Sequence, residues 1–231
     1  MNIVVINGTE IRGCTYQMKE FFLSELREGN TITEFYLPKD GPAFCLGCKT
    51  CFMKDEALCP HAAQVQPIWS AIMNADLLVF AYPVYVMRAP GQLKTLLDHF
   101  GAHWIAHRPK KEMFTKRAVI LTQSVGAPNK GAQSDVETSL NWMGVSDVKK
   151  FGLKLMEGVI WPELSEKKRK DIETKTKAFA HQFLNPRVPR MSLKVRLYFL
   201  IGKITQKMVL SRTLVPSVDT RYWLDQGWIK R

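Results

Sequence analysis

The chain has 231 residues, 46% of them apolar and 23% charged. These are ordinary globular proportions, and they exclude a largely disordered chain. With 33 basic and 21 acidic residues the net charge is +12. That excess points to an anionic ligand, surface or partner, and leaves the fold open.

Residues 2–6 form a short apolar run closed by Asn7-Gly8. This is the pattern of a buried strand and not of a signal peptide. Helical spacing of Met18, Phe21, Phe22 and Leu26 predicts a helix over 15–28, stopped by Gly29-Asn30. Residues 31–37 alternate as a second strand, followed by a turn-rich, cysteine-rich stretch over 38–60. A helix is expected over 62–74, a third strand over 76–81, and a third helix over 92–104. Strands are expected over 117–122 and 148–155, with helices over 134–143 and 163–184. Regular alternation with apolar strands predicts a doubly wound α/β fold, a five-stranded parallel sheet covered on both faces. No window holds 18 uncharged apolar residues, so no membrane-spanning helix is expected.

In such sheets the ligand lies beyond the carboxyl ends of the strands. Three loops therefore matter. Residues 7–16 offer two glycines, the hydroxyls of Thr9 and Thr15, the cation of Arg12 and the start of a helix. Together these make a phosphate site, although a strand–helix turn with a threonine cap has the same pattern. Residues 82–91 form an aromatic, proline-stiffened loop that suits a flat heterocycle. Residues 123–128 are small and turn-rich.

Taken in order, the three loops resemble those of the flavodoxin-like NADPH-dependent FMN reductase family. Ala75-Asp76, Pro83-Val84-Tyr85, Lys94 and Asp98 resemble its "AD…P-x-Y…K…D-R" run, with His99 where the family commonly has arginine. The resemblance covers roughly residues 1–185. It implies FMN as cofactor and NAD(P)H as electron donor. It places the FMN phosphate on Thr9, Arg12, Cys14, Thr15 and Tyr16. The isoalloxazine ring would lie between Pro83, Val84 and Tyr85 on one side and Ser124, Val125 and Gly126 on the other.

Cys45, Cys48, Cys51 and Cys59-Pro60 form the sharpest local pattern. Compact spacing of this kind can ligate a [4Fe–4S] cluster, and it resembles the motif of iron–sulfur flavoproteins within the same wider family. Zinc, or thiols without metal in a structured loop, fit the spacing too. His99, His103 and His107 recur every four residues, as pocket-lining or surface residues of one helix.

After residue 185 prolines break the chain and no further strand–helix pair appears. The division expected is a flavin-binding domain over 1–185 and a basic helical arm over 186–231. The arm holds ten basic and two acidic residues, two-thirds of the net charge. It could pack on its own domain or on a second copy in a homo-oligomer. It could instead rest on a membrane surface through 191–210. No nucleic-acid motif accompanies the charge. Trp223 and Trp228 are expected to anchor the tail on the flavin edge or the other subunit.

The function expected is an FMN-dependent NAD(P)H oxidoreductase that reduces a quinone, a nitroaromatic or a similar small acceptor through flavin N5, with no side-chain nucleophile. The alternatives are an iron–sulfur flavoprotein for electron transfer and a thiol-based redox sensor. An odd cysteine count with four clustered thiols places the protein in the cytoplasm.

Overall fold

The computed structural model describes residues 1–156 and 160–230. Five parallel strands form one sheet: β1 (Asn2–Asn7), β2 (Thr31–Tyr36), β3 (Leu77–Pro83), β4 (Arg117–Ser124) and β5 (Asp147–Lys154). Their spatial order is β2-β1-β3-β4-β5. The chain therefore leaves β1 toward one edge of the sheet and returns at β3 to build the other. β1 pairs with β3 from Ile3 opposite Leu77 to Asn7 opposite Ala81, and β3 runs on to Pro83.

Alternate residues of the central strands feed two cores. On one face Ile3, Val5, Val79 and Val119 meet Met18, Phe22 and Leu23 of α1 (Cys14–Ser24). Phe179 of α6 (Glu166–Ala180) and the following Phe183 close that layer. On the other face Ile6, Phe80, Tyr82 and Ile120 are covered by three helices. These are α3 (Ala62–Asn74), α4 (Gly91–His99) and α5 (Lys130–Met143). A short α2 (Thr50–Met53) lies in the cysteine-rich stretch.

The expected helix over 92–104 is shorter than its periodicity suggests. α4 ends at His99, and Gly101–His103 continues as a 3-10 turn. The three histidines consequently part company. His99 bonds its own helix and His61, His103 stacks on Trp69, and His107 bonds Asp219. Apolar residues Leu93, Leu96, Leu97 and Phe100 carry the helical pattern up to the break, which Gly101 imposes.

The C-terminal segment holds α7 (Leu193–Arg212) and α8 (Val218–Asp225). Val195, Trp223 and Ile229 bury themselves with Ile105 of the domain, and Trp142 stacks on Tyr198 at 4.1 Å. The Trp223 indole donates to the His107 carbonyl at 2.6 Å. Trp223 and Trp228 thus pack against each other, and Trp223 anchors on the 105–107 turn, away from the residues expected at the flavin. No helix among the described residues is long and apolar enough to cross a membrane.

Arg117 joins sheet, helix and arm. It is buried, donates to Asp147 on β5 at 2.9 Å and to the Gln182 carbonyl at 2.9 Å, and lies over the Phe183 ring. Arg187 reaches the same Asp147 oxygen at 2.9 Å. Burial alone would raise the Asp147 carboxyl, but the hydrogen bonds and charges of Arg187 and Arg117 hold it below its ordinary 3.8. A depressed carboxyl contributes stability that is present above its unfolded pKa and is lost as pH falls through the folded one. Asp147→Asn should cost about 3 kcal/mol at neutral pH by leaving Arg117 buried without its counter-charge. In denaturant melts that gap should narrow as the pH falls below 3.8.

Candidate functional site

The crevice between β1 and β3 is set by a close approach. A Cβ on Gly8 would lie 2.6 Å from the Cβ of Tyr82, so only glycine lets the chain leave β1 across the end of β3. The Gly8 amide donates to the Ala81 carbonyl at 2.8 Å, and Gln92 on α4 donates to the Gly8 carbonyl at 2.7 Å. From there residues 9–13 climb to α1. The helix starts at Cys14 with Gly13 before it, no side-chain cap and no acid in its first turn. At such an uncapped start the helix dipole favours an anion.

A cavity of about 420 Å³ lies at this crevice. Thr9, Gly13, Cys14 and Thr15 form its helix end, and Pro83, Val84, Tyr85 and Val125 form apolar walls, with Ile11 and Ile160 at the margin. Of the residues expected at a cofactor, Arg12, Tyr16, Ser124 and Gly126 are outside this lining. Arg12 is exposed and lies over the Tyr16 ring at 5.5 Å. The Ser124 hydroxyl is buried and turned toward the carbonyls of Ala127 and Leu153, where it fixes the loop. Gly126 has φ +70 and shapes the turn beside Met156. Burial holds the Cys14 thiol above its ordinary 9.0, so it stays a neutral group at the helix start.

Gln123 is the wall residue that sequence reasoning passed over. It is 5% exposed, it lines the cavity, and its Nε2 has no hydrogen-bond partner among the described residues. A buried donor left unmade costs about 1–3 kcal/mol. Here that donor belongs to the wall of a cavity that also presents an anion-binding helix start. A phosphate-bearing flat heterocycle such as FMN fits both features, and the cavity lies within the usual range of small-ligand sites.

The loop after β3 is built under strain. Tyr85 and Arg88 exchange backbone hydrogen bonds of 3.0 and 2.9 Å around a two-residue turn. Val86 and Met87 in that turn have φ of 46 and 67. Neither residue adopts positive φ comfortably, least of all a β-branched valine. Asp135 on α5 holds the loop by accepting from the Ala89 amide at 3.0 Å and pairing with Arg88 at 2.6 Å. Gly131 permits the approach, since a Cβ there would lie 2.8 Å from the Met87 carbonyl oxygen.

A second site lies in the cysteine-rich stretch. Cys45, Cys48, Cys51 and Cys59 line one recess together with Glu56, His61, His99 and His103. Positive φ at Gly47 and Lys49 coils the loop on either side of Cys48. The Cys51 thiol is raised by burial and by the nearness of Cys59 and Cys45. Hydrogen bonds from Thr50 lower the Cys48 thiol. Four cysteines on one recess supply the ligand type that a cluster takes, with Cys45 and Cys48 exposed and Cys51 and Cys59 half-buried. His61 and His99 approach at 3.0 Å, and the Cys59, His61 and His99 ligand atoms lie within 4.8 Å of one another. Nothing in the local spacing foretold this pairing, because 38 residues separate the two histidines.

Arg108 ties the recess to the C-terminal segment. Its buried guanidinium donates to the Cys51 carbonyl and to carboxylates of Glu56 and Asp219. Burial alone would raise the Glu56 carboxyl, but its backbone hydrogen bond and the charges nearby hold it well below the carboxylate range.

The sequence profile described as NADPH-dependent FMN reductase matches residues 1–154. An iron–sulfur flavoprotein of Archaeoglobus fulgidus is 24% identical over 223 residues, covering 94% of each chain. One from Methanocaldococcus jannaschii is 29% identical over 134 residues, spanning 58% of this chain and 65% of its own length. Among solved structures, the NAD(P)H:quinone oxidoreductase of Methanothermobacter marburgensis superposes with a TM-score of 0.62 at 18% identity, covering 81% of this chain and 98% of its own.

The strained turn gives a direct test of how the cavity wall is held. Replacing Val86 by Asn together with Met87 by Gly should raise the stability of the cofactor-free protein by about 1–2 kcal/mol. Denaturant melts that show no gain would mean the turn carries no strain.

Proposed function

The chain belongs to the NADPH-dependent FMN reductase family, and from that premise we propose that it is an FMN-dependent NAD(P)H oxidoreductase acting on a small aromatic acceptor, a quinone or a nitroaromatic. The observation that carries this reading is the cavity at the β1–β3 crevice, with an open helix start at one end and the partnerless amide of Gln123 in its wall. Thr9, Thr15 and the first amides of α1 hold the phosphate, and Arg12 adds a positive charge from outside. Pro83, Val84, Tyr85 and Val125 flank the ring and exclude water, while Gln123 donates to a ring acceptor. FMN, when bound, supplies the chemistry by taking hydride from NAD(P)H at N5 and passing two electrons to the acceptor. No side chain in the wall serves as a nucleophile.

The second site supports a further element of the same reading. Cys45, Cys48, Cys51 and Cys59 would hold a [4Fe–4S] cluster, which supplies one-electron transfer. That all four cysteines line one recess supports this element.

FMN-loaded protein should consume NAD(P)H in the presence of a soluble quinone. Gln123→Leu and Arg12→Glu should each weaken FMN binding about tenfold or more. A protein that takes up FMN but passes no electrons from NAD(P)H would contradict the enzymatic reading. Anaerobically purified protein should contain iron and acid-labile sulfide, and Cys51→Ser should remove both while leaving FMN in place. A yellow, iron-free protein would eliminate the cluster.

A further inference from the structure

α7 packs one face on the domain and presents the opposite face to solvent. The inner face is fixed by Val195, Gly202 and Gln206, all buried. Gln206 donates to the Ala106 carbonyl at 2.9 Å and accepts from Thr220 at 2.8 Å, so the helix cannot roll. The outer face is apolar where a solvated helix face is normally polar. Leu193, Leu197, Leu200 and Ile204 recur at helical spacing and are 83%, 54%, 52% and 55% exposed. Ile201 and Met208 widen the stripe on one side. On the other side Arg196, Lys203 and Lys207 form a basic row at intervals of seven and four residues. Beyond the helix, Leu214 and Val215 stand out from the chain, fully and largely exposed.

Charge decides what covers this face. Residues 186–218 contain seven basic residues and no acid. A symmetric contact with a second copy would set the same basic row against itself, which is unfavourable. An anionic surface meets both features at once, because the stripe enters the acyl boundary and the basic row meets the headgroups. The helix has 20 residues but is not apolar enough to cross.

We propose that the outer face of α7, with the Leu214-Val215 loop, is a docking surface for an anionic phospholipid bilayer. This inference rests on the arm alone and is independent of the flavin reading. It would bring a reductase to acceptors dissolved in lipid.

The test is cosedimentation of the full chain with vesicles of phosphatidylcholine alone or mixed with phosphatidylglycerol. Binding is expected only to the mixed vesicles, and added salt should weaken it. Lys203→Glu with Lys207→Glu should weaken it at least about tenfold. Leu200→Ser with Ile204→Ser should do the same. These four side chains point away from the core, so circular dichroism and FMN content should match the wild type. Failure to bind anionic vesicles would overturn the proposal. So would equal binding by wild type and both variants. A dimer in solution that Leu200→Ser with Ile204→Ser dissociates would show instead that a second copy covers the face.

Discussion

The structure depends on the divergence of the chain at the β1–β3 crevice. Two adjacent parallel strands send their connections in opposite directions, so a gap at the carboxyl edge is unavoidable. Gly8 lets the first connection cross the end of β3 at a distance no side chain allows. That crossing delivers the chain to the start of α1, where Gly13, Cys14 and Thr15 line the gap and no side chain caps the helix. The strained Tyr85–Arg88 turn and the orphan amide of Gln123 complete the walls. Each of these features costs stability when the cavity has no ligand. A ligand with a phosphate and a hydrogen-bond acceptor would meet the uncapped helix start and the Gln123 amide together.

Much of this was legible in the sequence because parallel strands buried on both faces read as uninterrupted apolar runs. Residues 2–6, 76–81 and 117–122 declare themselves in that way, and the loops that follow them carry glycine, threonine and proline. What was hidden depends on contacts distant in sequence. Gln123 reads as the first residue of the third loop, and only the fold places its amide in a wall. His61 precedes α3 and His99 ends α4, so their approach depends on how the two helices are placed. The periodicity that carried the third helix through 104 was a true apolar face, broken by one glycine. Trp223 and Trp228 were legible as anchors, but their destination was not, because Ile105 and His107 lie more than a hundred residues earlier.

The charge excess also takes a definite place. Arg117 and Arg108 are spent internally, one on Asp147 and the other on Glu56 and Asp219. The uncompensated positive charge gathers on the arm, beside an apolar stripe. Arg108 binds the cysteine loop and the arm through one guanidinium, so the second site and the outer helix share a support. The protein thus has a ligand end at the strand termini and a separate basic apolar face.

The central claim is that the start of α1 holds a phosphate. It is tested most directly by titrating the cofactor-free protein with FMN and with riboflavin and following flavin fluorescence. The two ligands share the ring and differ in the phosphate alone. FMN should bind about a hundredfold or more tightly than riboflavin, as several charge-assisted hydrogen bonds would require. Equal affinity for the two would contradict the account.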